Sequence, residues 1–229
     1  MTDMPYRNKT KVIKIGNQVI GGGNPILIQS MTNTKTEDVE ATVAQIRKLE
    51  EAGCQIIRCT ANNEAAARAI GEIKQQIHIP IVADIHFDYR LALLAIENGI
   101  DKIRINPGNI GALENIKKVV DACKKHHIPI RIGVNSGSLD QEFSSSSPKI
   151  KAEQLVLSAK KHVKILENLN FYDIVISLKG SDVLETIEAY RLASKIFPYP
   201  LHLGITEAGT KEIGVIRSVA GLAPLIMDG

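Results

Sequence analysis

The chain has 229 residues, of which 44% are hydrophobic and 23% charged, a composition that predicts a globular protein with one sizeable core or two small ones rather than a disordered chain. Its formal net charge is only +3, and its basic residues are interleaved with acidic ones, so no basic stripe indicates nucleic-acid binding. Aromatic residues make up 4% and tryptophan is absent, which leaves few side chains to stack on bases.

The N-terminal sequence M-T-D-M-P-Y-R-N-K-T lacks the apolar core of a signal peptide, and no run approaches the roughly 18 apolar residues of a membrane span. We therefore expect a cytoplasmic protein without membrane partners. Cys54, Cys59 and Cys123 lie far apart without a C-x-x-C motif, which favours buried thiols over a disulfide framework. No metal ligands are predicted in this chain.

Residues 11–23, K-V-I-K-I-G-N-Q-V-I-G-G-G, contain two short alternating runs around Gly16-Asn17 and predict a β-hairpin ahead of the main body. A phosphate-binding glycine loop is the alternative for the triple glycine 21–23. It lacks the Lys-Ser/Thr pair and the following helix of such a loop, so a turn is favoured.

From residue 25 onward, short apolar strands alternate with amphipathic helices. The predicted strands are residues 26–31, 55–60, 79–86, 101–106, 129–135, 173–179 and 200–206. The predicted helices are residues 37–52, 63–76, 89–97, 112–126, 152–168, 182–196 and 210–219. The connection 138–151 is longer than the others and contains S-S-S-S-P, which predicts a mobile surface loop.

This alternation predicts a parallel α/β fold, either a TIM (β/α)8-type barrel or an open, doubly wound sheet. We favour the barrel because polar residues end nearly every predicted strand and need a common centre. Only seven βα units fit, so the eighth strand is missing and two sheet edges would stay unpaired, an aggregation liability. We therefore expect a piece of a longer protein, with an N-terminal hairpin segment (1–24) and an incomplete barrel (25–229).

Residues 100–111, I-D-K-I-R-I-N-P-G-N-I-G, show how the interior of such a barrel is built. Side chains alternate along a strand, so Ile103 and Ile105 are predicted to face the helices, while Lys102, Arg104 and Asn106 face the interior. The same alternation sets apolar residues, including Cys59 and Phe87, against polar ones at the strand ends: Arg58, Thr60, Asp84, His86, Arg131, Asn135, Ser177 and Lys179.

The mouth, where the C-terminal ends of the strands open and active sites of this fold lie, would collect four cations: Arg58, Arg104, Arg131 and Lys179. Asp84 and Glu207 neutralise only part of that charge, and an unpaired desolvated guanidinium is costly. A phosphate or diphosphate is the natural counter-charge. The alternative is an internal salt-bridge network on the two carboxylates.

Four further polar residues are candidates at the same end. His86 follows Asp84 on one face and is predicted to contact a ligand or transfer a proton. Asn106 and Asn135 suit substrate hydroxyls or cap the turns after their strands. Glu207 is a candidate acid or base, or a carboxylate near a helix N-terminus. His202 stays undecided, and four other histidines are predicted to lie on the surface: His78, His126, His127 and His162.

Five motifs give the chain a family resemblance: Q-S-M-T-N-T (29–34), V-A-D-I-H-F-D-Y-R (82–90), R-I-N-P-G-N-I-G (104–111), R-I-G-V-N-S-G-S-L (131–139) and L-H-L-G-I-T-E-A-G (201–209). Through them the chain resembles the hydroxymethylbutenyl diphosphate synthases, the iron–sulfur enzymes of the non-mevalonate isoprenoid pathway. The motifs follow one another in order and span almost the whole sequence.

The resemblance implies an oxidoreductase whose TIM barrel binds 2-C-methyl-D-erythritol 2,4-cyclodiphosphate. In the family, flavodoxin or ferredoxin supplies electrons that open this ring to 4-hydroxy-3-methylbut-2-enyl diphosphate. A separate C-terminal domain, absent from this sequence, holds a [4Fe-4S] cluster in the family and closes over the barrel of the partner subunit in a homodimer. Without that domain, we expect no reductive activity from this stretch.

The motifs also imply roles for individual residues of this chain. Glu207 would serve protonation near the cluster. The diphosphate would be held by Arg58, Arg104, Arg131 and Lys179, and the substrate oriented by Asp84, His86, Asn106 and Asn135. Two alternatives remain: a Schiff-base aldolase that uses Lys179, and a non-catalytic anion-binding remnant.

Overall fold

The computed structural model describes residues 5–135 and 147–229. Its strands are β1 (Ile13–Ile15), β2 (Gln18–Ile20), β3 (Gln29–Met31), β4 (Ile56–Thr60), β5 (Ile81–Asp84), β6 (Lys102–Ile105), β7 (Ile130–Asn135) and β8 (Ile174–Lys179). Its helices are α1 (Tyr6–Lys9), α2 (Val39–Glu51), α3 (Glu64–Lys74), α4 (Tyr89–Glu97), α5 (Leu113–His126), α6 (Pro148–Asn168), α7 (Val183–Ile196) and α8 (Lys211–Met227). A short 3-10 helix, Pro107–Asn109, follows β6.

Strands β3 to β8 form one six-stranded parallel sheet in chain order, and β1 pairs with β2 as an antiparallel hairpin. The sheet is curled: side chains from all six parallel strands line one cavity at the C-terminal ends of the strands. The predicted α/β barrel with an N-terminal hairpin is thereby confirmed as the fold class. Register places the Cα atom of Arg104 opposite both Asp84 on β5 and Arg131 on β7.

Several of the helices begin where the sequence supplies an N-cap side chain. The cap oxygen accepts a hydrogen bond from a backbone N–H of the first turn, which satisfies a donor that the helix itself cannot pair. Four helices that follow a strand or loop on the mouth side begin in this way, with the caps Asp38, Asn63, Asp88 and Asp182. These caps fix the points at which the chain turns away from the mouth.

The apolar residues of the strands divide between two cores. Ile103, Ile105 and Ile132 are completely buried in the large core between the sheet and the helices, as the alternation predicted. A second, smaller cluster, here called the floor, fills the N-terminal end of the interior: Ile13, Ile15, Ile56, Val82 and Val175. The hairpin supplies two of these residues, so it closes the end of the barrel opposite the mouth.

Two predicted details of the chain path are wrong. The seventh strand, residues 200–206, contributes only an isolated parallel bridge between Leu201 and Ile176 of β8. The predicted loop 138–151 overlaps α6, which already begins at Pro148; residues 136–146 lie outside the described part of the chain. Proline at the first position of a helix needs no N–H partner, and this explains why the helix starts there.

Exposure corrects two further predictions. Phe87 was assigned to the helix-facing side of its strand but is 72% exposed, because β5 already ends at Asp84. His162 was assigned to the surface but is half-buried, and its Nδ1 is enclosed without a hydrogen-bond partner among the described residues. His78, His126 and His127 are exposed as predicted. Within residues 5–135 and 147–229, no helix has the length and hydropathy needed to cross a bilayer.

Candidate functional site

The inward side chains of the parallel strands meet in a cavity of about 260 Å³, here called the mouth cavity. Seven of the nine residues that the sequence singled out as site candidates line it: Arg58, Asp84, His86, Arg104, Arg131, Asn135 and Lys179. The alternation rule did not select Met31 and Thr206 as candidates, although both line the cavity as well. Both lie at inward positions of their segments, so applying the rule to every predicted strand would have found them.

Asp84 is the carboxylate at the centre of the mouth cavity, and only 5% of its side chain is exposed. Its Oδ1 accepts a hydrogen bond from Arg104 Nη1 at 3.0 Å, and its Oδ2 lies 3.6 Å from Arg58 Nε. His86 Nε2 lies 3.9 Å from the same Oδ2, too far for a hydrogen bond. One carboxylate therefore serves two arginines and is unable to compensate both.

Arg131 is the most buried of the cations, with 1% of the residue exposed. Among the described residues, its Nη1 has only a long contact of 3.4 Å with Ser177 Oγ. Its Nε and Nη2, together with Arg104 Nε, are enclosed and have no hydrogen-bond partner among the described residues. Buried guanidinium donors without acceptors are costly, so these groups favour an acceptor from outside the protein.

Arg58 is held by a neighbour that sequence reasoning missed. Its Nε and Nη2 lie 3.1 and 2.7 Å from the thioether sulfur of Met31 on the adjacent strand. Register places the Cα atoms of Met31 and Arg58 opposite one another. A thioether is a weak acceptor, so it orients the guanidinium without neutralising it.

The pKa values reflect this excess of positive charge. Burial and the charges of three neighbouring arginines lower the pKa of Lys179 to about 7. Burial, followed by repulsion from Arg58 and Arg104, lowers the pKa of Arg131 to about 9. Both lowered pKa values show that the charged forms are disfavoured in this cavity. An anion that entered it would be stabilised by every one of these groups.

A second polar layer lies one inward position closer to the floor. Lys102 is 1% exposed, and its Nζ donates to Gln29 Oε1 at 3.2 Å. Burial, followed by the charges of Arg131 and Arg58, lowers its pKa well below the ordinary value. His202, which the sequence left undecided, lies in the same region, and there its pKa also falls well below the ordinary value because of burial and then the neighbouring cations.

Gln29, Lys102 and His202 line a second cavity of about 640 Å³. This cavity is bordered by residues 25–29 on one side and residues 200–203 on the other, which are the two edges of the curled sheet. Its lining is mostly apolar, so its chemistry differs from that of the mouth cavity.

Two candidates lie outside the mouth cavity. Asn106 Oδ1 accepts a hydrogen bond from Gly108 N at 3.1 Å and caps the 3-10 helix, which is the turn-capping role that the sequence left open. Glu207 is exposed and has a backbone φ of 51°, in the left-handed region. Among the described residues that line the cavity, Asp84 is therefore the only carboxylate facing four cations.

The residues described do not fit an iron–sulfur cluster. Cys54, Cys59 and Cys123 are buried on different elements, and burial raises the pKa of the Cys59 thiol to about 11. Residues 5–135 and 147–229 contain no group of three or more histidine, cysteine or acidic side chains arranged to hold a metal. A cluster needs thiolates that converge, and these cysteines are buried on different elements.

Comparisons with known proteins agree with this geometry. Residues 10–229 match the family described as the GcpE TIM-barrel domain. Proteins from Fusobacterium nucleatum (59% identical, 96% of this chain) and Caldanaerobacter subterraneus (63% identical, 97% of this chain) are both named 4-hydroxy-3-methylbut-2-en-1-yl diphosphate synthase (flavodoxin). This chain covers 62% and 63% of their lengths, so it spans under two thirds of the relatives it matches.

Solved structures that resemble the fold are more distant in sequence. The dihydropteroate synthase of Yersinia pestis superposes with a TM-score of 0.66 at 11% identity, covering 95% of this chain and 88% of that one. The 3-dehydroquinate dehydratase of Geobacillus kaustophilus superposes with a TM-score of 0.65 at 17% identity, covering 96% of this chain and 86% of that one. At such identities the likeness concerns the fold alone.

Proposed function

This chain belongs to the GcpE TIM-barrel family, and we propose that it is the substrate-binding barrel of a 4-hydroxy-3-methylbut-2-en-1-yl diphosphate synthase, an oxidoreductase of isoprenoid biosynthesis. Its relatives carry that name and share 57% to 63% of their aligned residues with it. The substrate of the proposal is 2-C-methyl-D-erythritol 2,4-cyclodiphosphate, and the electron donor is the flavodoxin that the relatives' name specifies.

The observation that carries the proposal is the charge balance of the mouth cavity. With Lys179 protonated, four cations and one carboxylate leave an excess of three positive charges in an enclosure of about 260 Å³. A diphosphate offers several acceptor oxygens to the donors that lack partners within residues 5–135 and 147–229, above all Arg131 Nε and Nη2. Low local dielectric strengthens each contact, so a diphosphate gains more here than a neutral ligand does.

The residues take different parts in this proposal. Arg58, Arg104, Arg131 and Lys179 hold the diphosphate, and Asp84 fixes the direction of two of the guanidinium groups. His86, with 43% of its side chain exposed at the rim, and Asn135 orient the remaining hydroxyl-bearing part of the substrate. Asn106 supports the loop after β6. Glu207 supplies a proton only if its exposed loop changes its position on binding.

A [4Fe-4S] cluster would supply the electrons in such an enzyme. No described residue set fits the cluster, so the present proposal concerns binding and orientation of the substrate, in a protein that also carries the cluster. Homodimer formation and a cytoplasmic location belong to the same proposal. The division into a hairpin segment, residues 1–24, and a barrel, residues 25–229, is also part of it.

Ligand-dependent thermal melting tests the binding. The cyclodiphosphate and inorganic pyrophosphate are each expected to raise the melting temperature, because a ligand that binds only the folded state stabilises it by about 2.7 kcal/mol at 100 times its dissociation constant. The matched control ligand is 2-C-methyl-D-erythritol, which lacks both phosphates and is expected to have no effect. Equal shifts with all three compounds would remove the diphosphate from the proposal.

One observation favours a second candidate, a Schiff-base aldolase. A lysine whose pKa is lowered to about 7 is a competent amine nucleophile, and Lys179 lies in the mouth cavity. Borohydride reduction in the presence of a phosphorylated carbonyl compound traps an imine on that lysine. Covalent labelling of wild-type protein that is absent in Lys179→Met would support the aldolase. If the wild-type protein is not labelled, the aldolase is excluded and the diphosphate proposal stands.

A further inference from the structure

Two glycines face the cations of the mouth cavity at unusually short range. A Cβ atom on Gly133 of β7 would lie 2.6 Å from Arg104 Nε and 3.0 Å from its Nη2. A Cβ atom on Gly204 would lie 2.9 Å from Lys179 Cε and 3.1 Å from its Nζ. All four distances between the added carbon and a cationic side chain are shorter than van der Waals contact allows. Each glycine therefore leaves the space that a charged group occupies.

Backbone conformation does not account for these glycines. The glycines with left-handed φ angles in the described chain include Gly16, Gly21 and Gly53, but neither Gly133 nor Gly204 is among them. Gly133 lies in the interior of a strand, where glycine weakens the sheet and has no side chain to pack. Any L-residue fits the backbone at Gly133, so the space above it is what distinguishes the position.

The space above Gly133 has a consequence for Arg104. Gly133 lies two residues beyond Arg131 on the same inward face of β7, opposite Ser177 in register. Arg104 on the adjacent strand lays its guanidinium across this gap while its Nη1 donates to Asp84 Oδ1 at 3.0 Å. A methyl group at position 133 would displace the guanidinium, which is the flexible end of its side chain, and would leave the strand in place.

We propose that Gly133 and Gly204 are positioning residues that make room for the Arg104 guanidinium and the Lys179 ammonium, and that they thereby set the spacing of the cations that bind the diphosphate. This inference deepens the proposed function of the mouth cavity and depends on it for its ligand. The glycines touch no substrate themselves. They act through the two cations whose positions they allow.

The test measures pyrophosphate binding by isothermal titration calorimetry in a double-mutant cycle of Gly133→Ala and Arg104→Ala. Gly133→Ala is expected to fold and to weaken binding by about ten- to hundred-fold, the equivalent of one hydrogen bond to a charged group. In the Arg104→Ala background the same glycine change is expected to have no further effect, because the displaced group is already absent. The control is Gly214→Ala in α8, whose new Cβ has no neighbour closer than 3.7 Å and is expected to leave binding unchanged.

Two binding results would overturn the inference: Gly133→Ala that binds pyrophosphate like wild type, or a loss of equal size with and without Arg104. If Gly133→Ala does not fold, the double variant decides, since removing Arg104 removes the clash. A folded double variant supports the positioning role, and an unfolded one contradicts it. Gly204→Ala with Lys179→Met forms a second, independent cycle with the same expectations.

Failure of the proposed function is distinguishable from failure of this inference. Wild-type protein that does not bind pyrophosphate contradicts the diphosphate site alone. Crystal structures of ligand-free wild type and Gly133→Ala then decide the positioning role. Loss of the contact between Arg104 Nη1 and Asp84 Oδ1 in the variant supports it, and an unchanged contact overturns it.

Discussion

The floor and the mouth of this barrel are built from the same strands by the same alternation of side chains, yet they differ in chemistry. At the floor, inward residues such as Ile56, Val82 and Val175 pack against the hairpin and are nearly inaccessible to solvent. Two residues further along each strand, the inward positions carry Arg58, Asp84 and Ser177. On each of these strands, the inward residue that packs in the floor and the inward residue that lines the mouth cavity are therefore only two positions apart.

This difference shows which region stabilises the ligand-free fold and which region destabilises it. Apolar burial at the floor is favourable without any ligand. At the mouth, desolvated cations with too few acceptors are unfavourable until an anion arrives. Lys102 is the exception at the floor, since its Cα atom pairs with that of Val82 while its ammonium group is buried beside Gln29. The predictions below separate the two regions by their responses to substitution, pH and ligand.

The largest effect on stability is expected at the floor. Ile56→Ala is expected to lower the free energy of unfolding by about 2 to 5 kcal/mol, because it leaves a cavity among buried neighbours. Its pyrophosphate affinity at a temperature where the protein stays folded is expected to match wild type. Denaturant melts and calorimetry measure the two quantities, and a stable variant with lost affinity would contradict the separation of floor from mouth.

The reverse pattern is expected at the mouth. Arg131→Met removes a buried charge, two of whose nitrogens have no hydrogen-bond partner in the described ranges, and is expected to keep or raise the stability of the ligand-free protein. Pyrophosphate binding is expected to weaken by about 1.5 to 3 kcal/mol, the range for a hydrogen bond to a charged group. Denaturant melts without ligand and titrations with ligand check both signs. A strong loss of ligand-free stability would favour the internal salt-bridge network instead.

The pH dependence of stability follows from Lys179. Its folded-state pKa is lowered to about 7, whereas an unfolded lysine titrates near 10.4, so the unfolded chain holds one more proton between about pH 7 and 10.4. Stability of the ligand-free protein is therefore expected to rise with pH across this window and to be lost as pH falls through it. Lys102, whose pKa is also lowered, contributes in the same direction.

Urea melts from pH 7 to 10 measure this slope, which is expected to be smaller in Lys179→Met. Pyrophosphate requires the charged lysine, so the wild-type affinity is expected to fall above pH 7 more steeply than that of Lys179→Met. The comparison of the two proteins cancels the titration of pyrophosphate itself. Identical slopes in both would show that Lys179 does not titrate in this range.

The smallest effect is expected at Asn106, at the rim of the mouth. Asn106→Ala removes the cap of the 3-10 helix and is expected to cost about 0.5 to 2 kcal/mol of stability, whereas Asn106→Asp keeps an acceptor and costs less. Neither change is expected to alter pyrophosphate affinity. A large loss of affinity in Asn106→Asp, measured by calorimetry, would show that the Asn106 side chain contacts the ligand after all.

Alternation along short strands was enough to predict the convergence of Arg58, Asp84, Arg104, Arg131 and Lys179, because parallel strands bring every C-terminal end to one edge. The pattern could not show that the predicted seventh strand fails to form. Residues 200–206 are apolar enough for a strand, but their only bridge to β8 is at Leu201. Asn106 and Glu207 follow the same inward pattern, yet a proline turn after one and a left-handed residue at the other redirect them. Contacts between adjacent strands, such as Met31 with Arg58, depend on register, which no single strand reveals.

Calorimetric titration of pyrophosphate into three proteins tests the central claim most directly: wild type, Arg131→Met, and Lys164→Met, which removes a cation from an exposed position on α6. The net charge changes equally in both variants, so only the position of the lost charge differs. Wild type and Lys164→Met are expected to bind with the same affinity, and Arg131→Met at least about ten-fold more weakly. Equal affinities in all three proteins would contradict the claim that the strand-end cations form a diphosphate site.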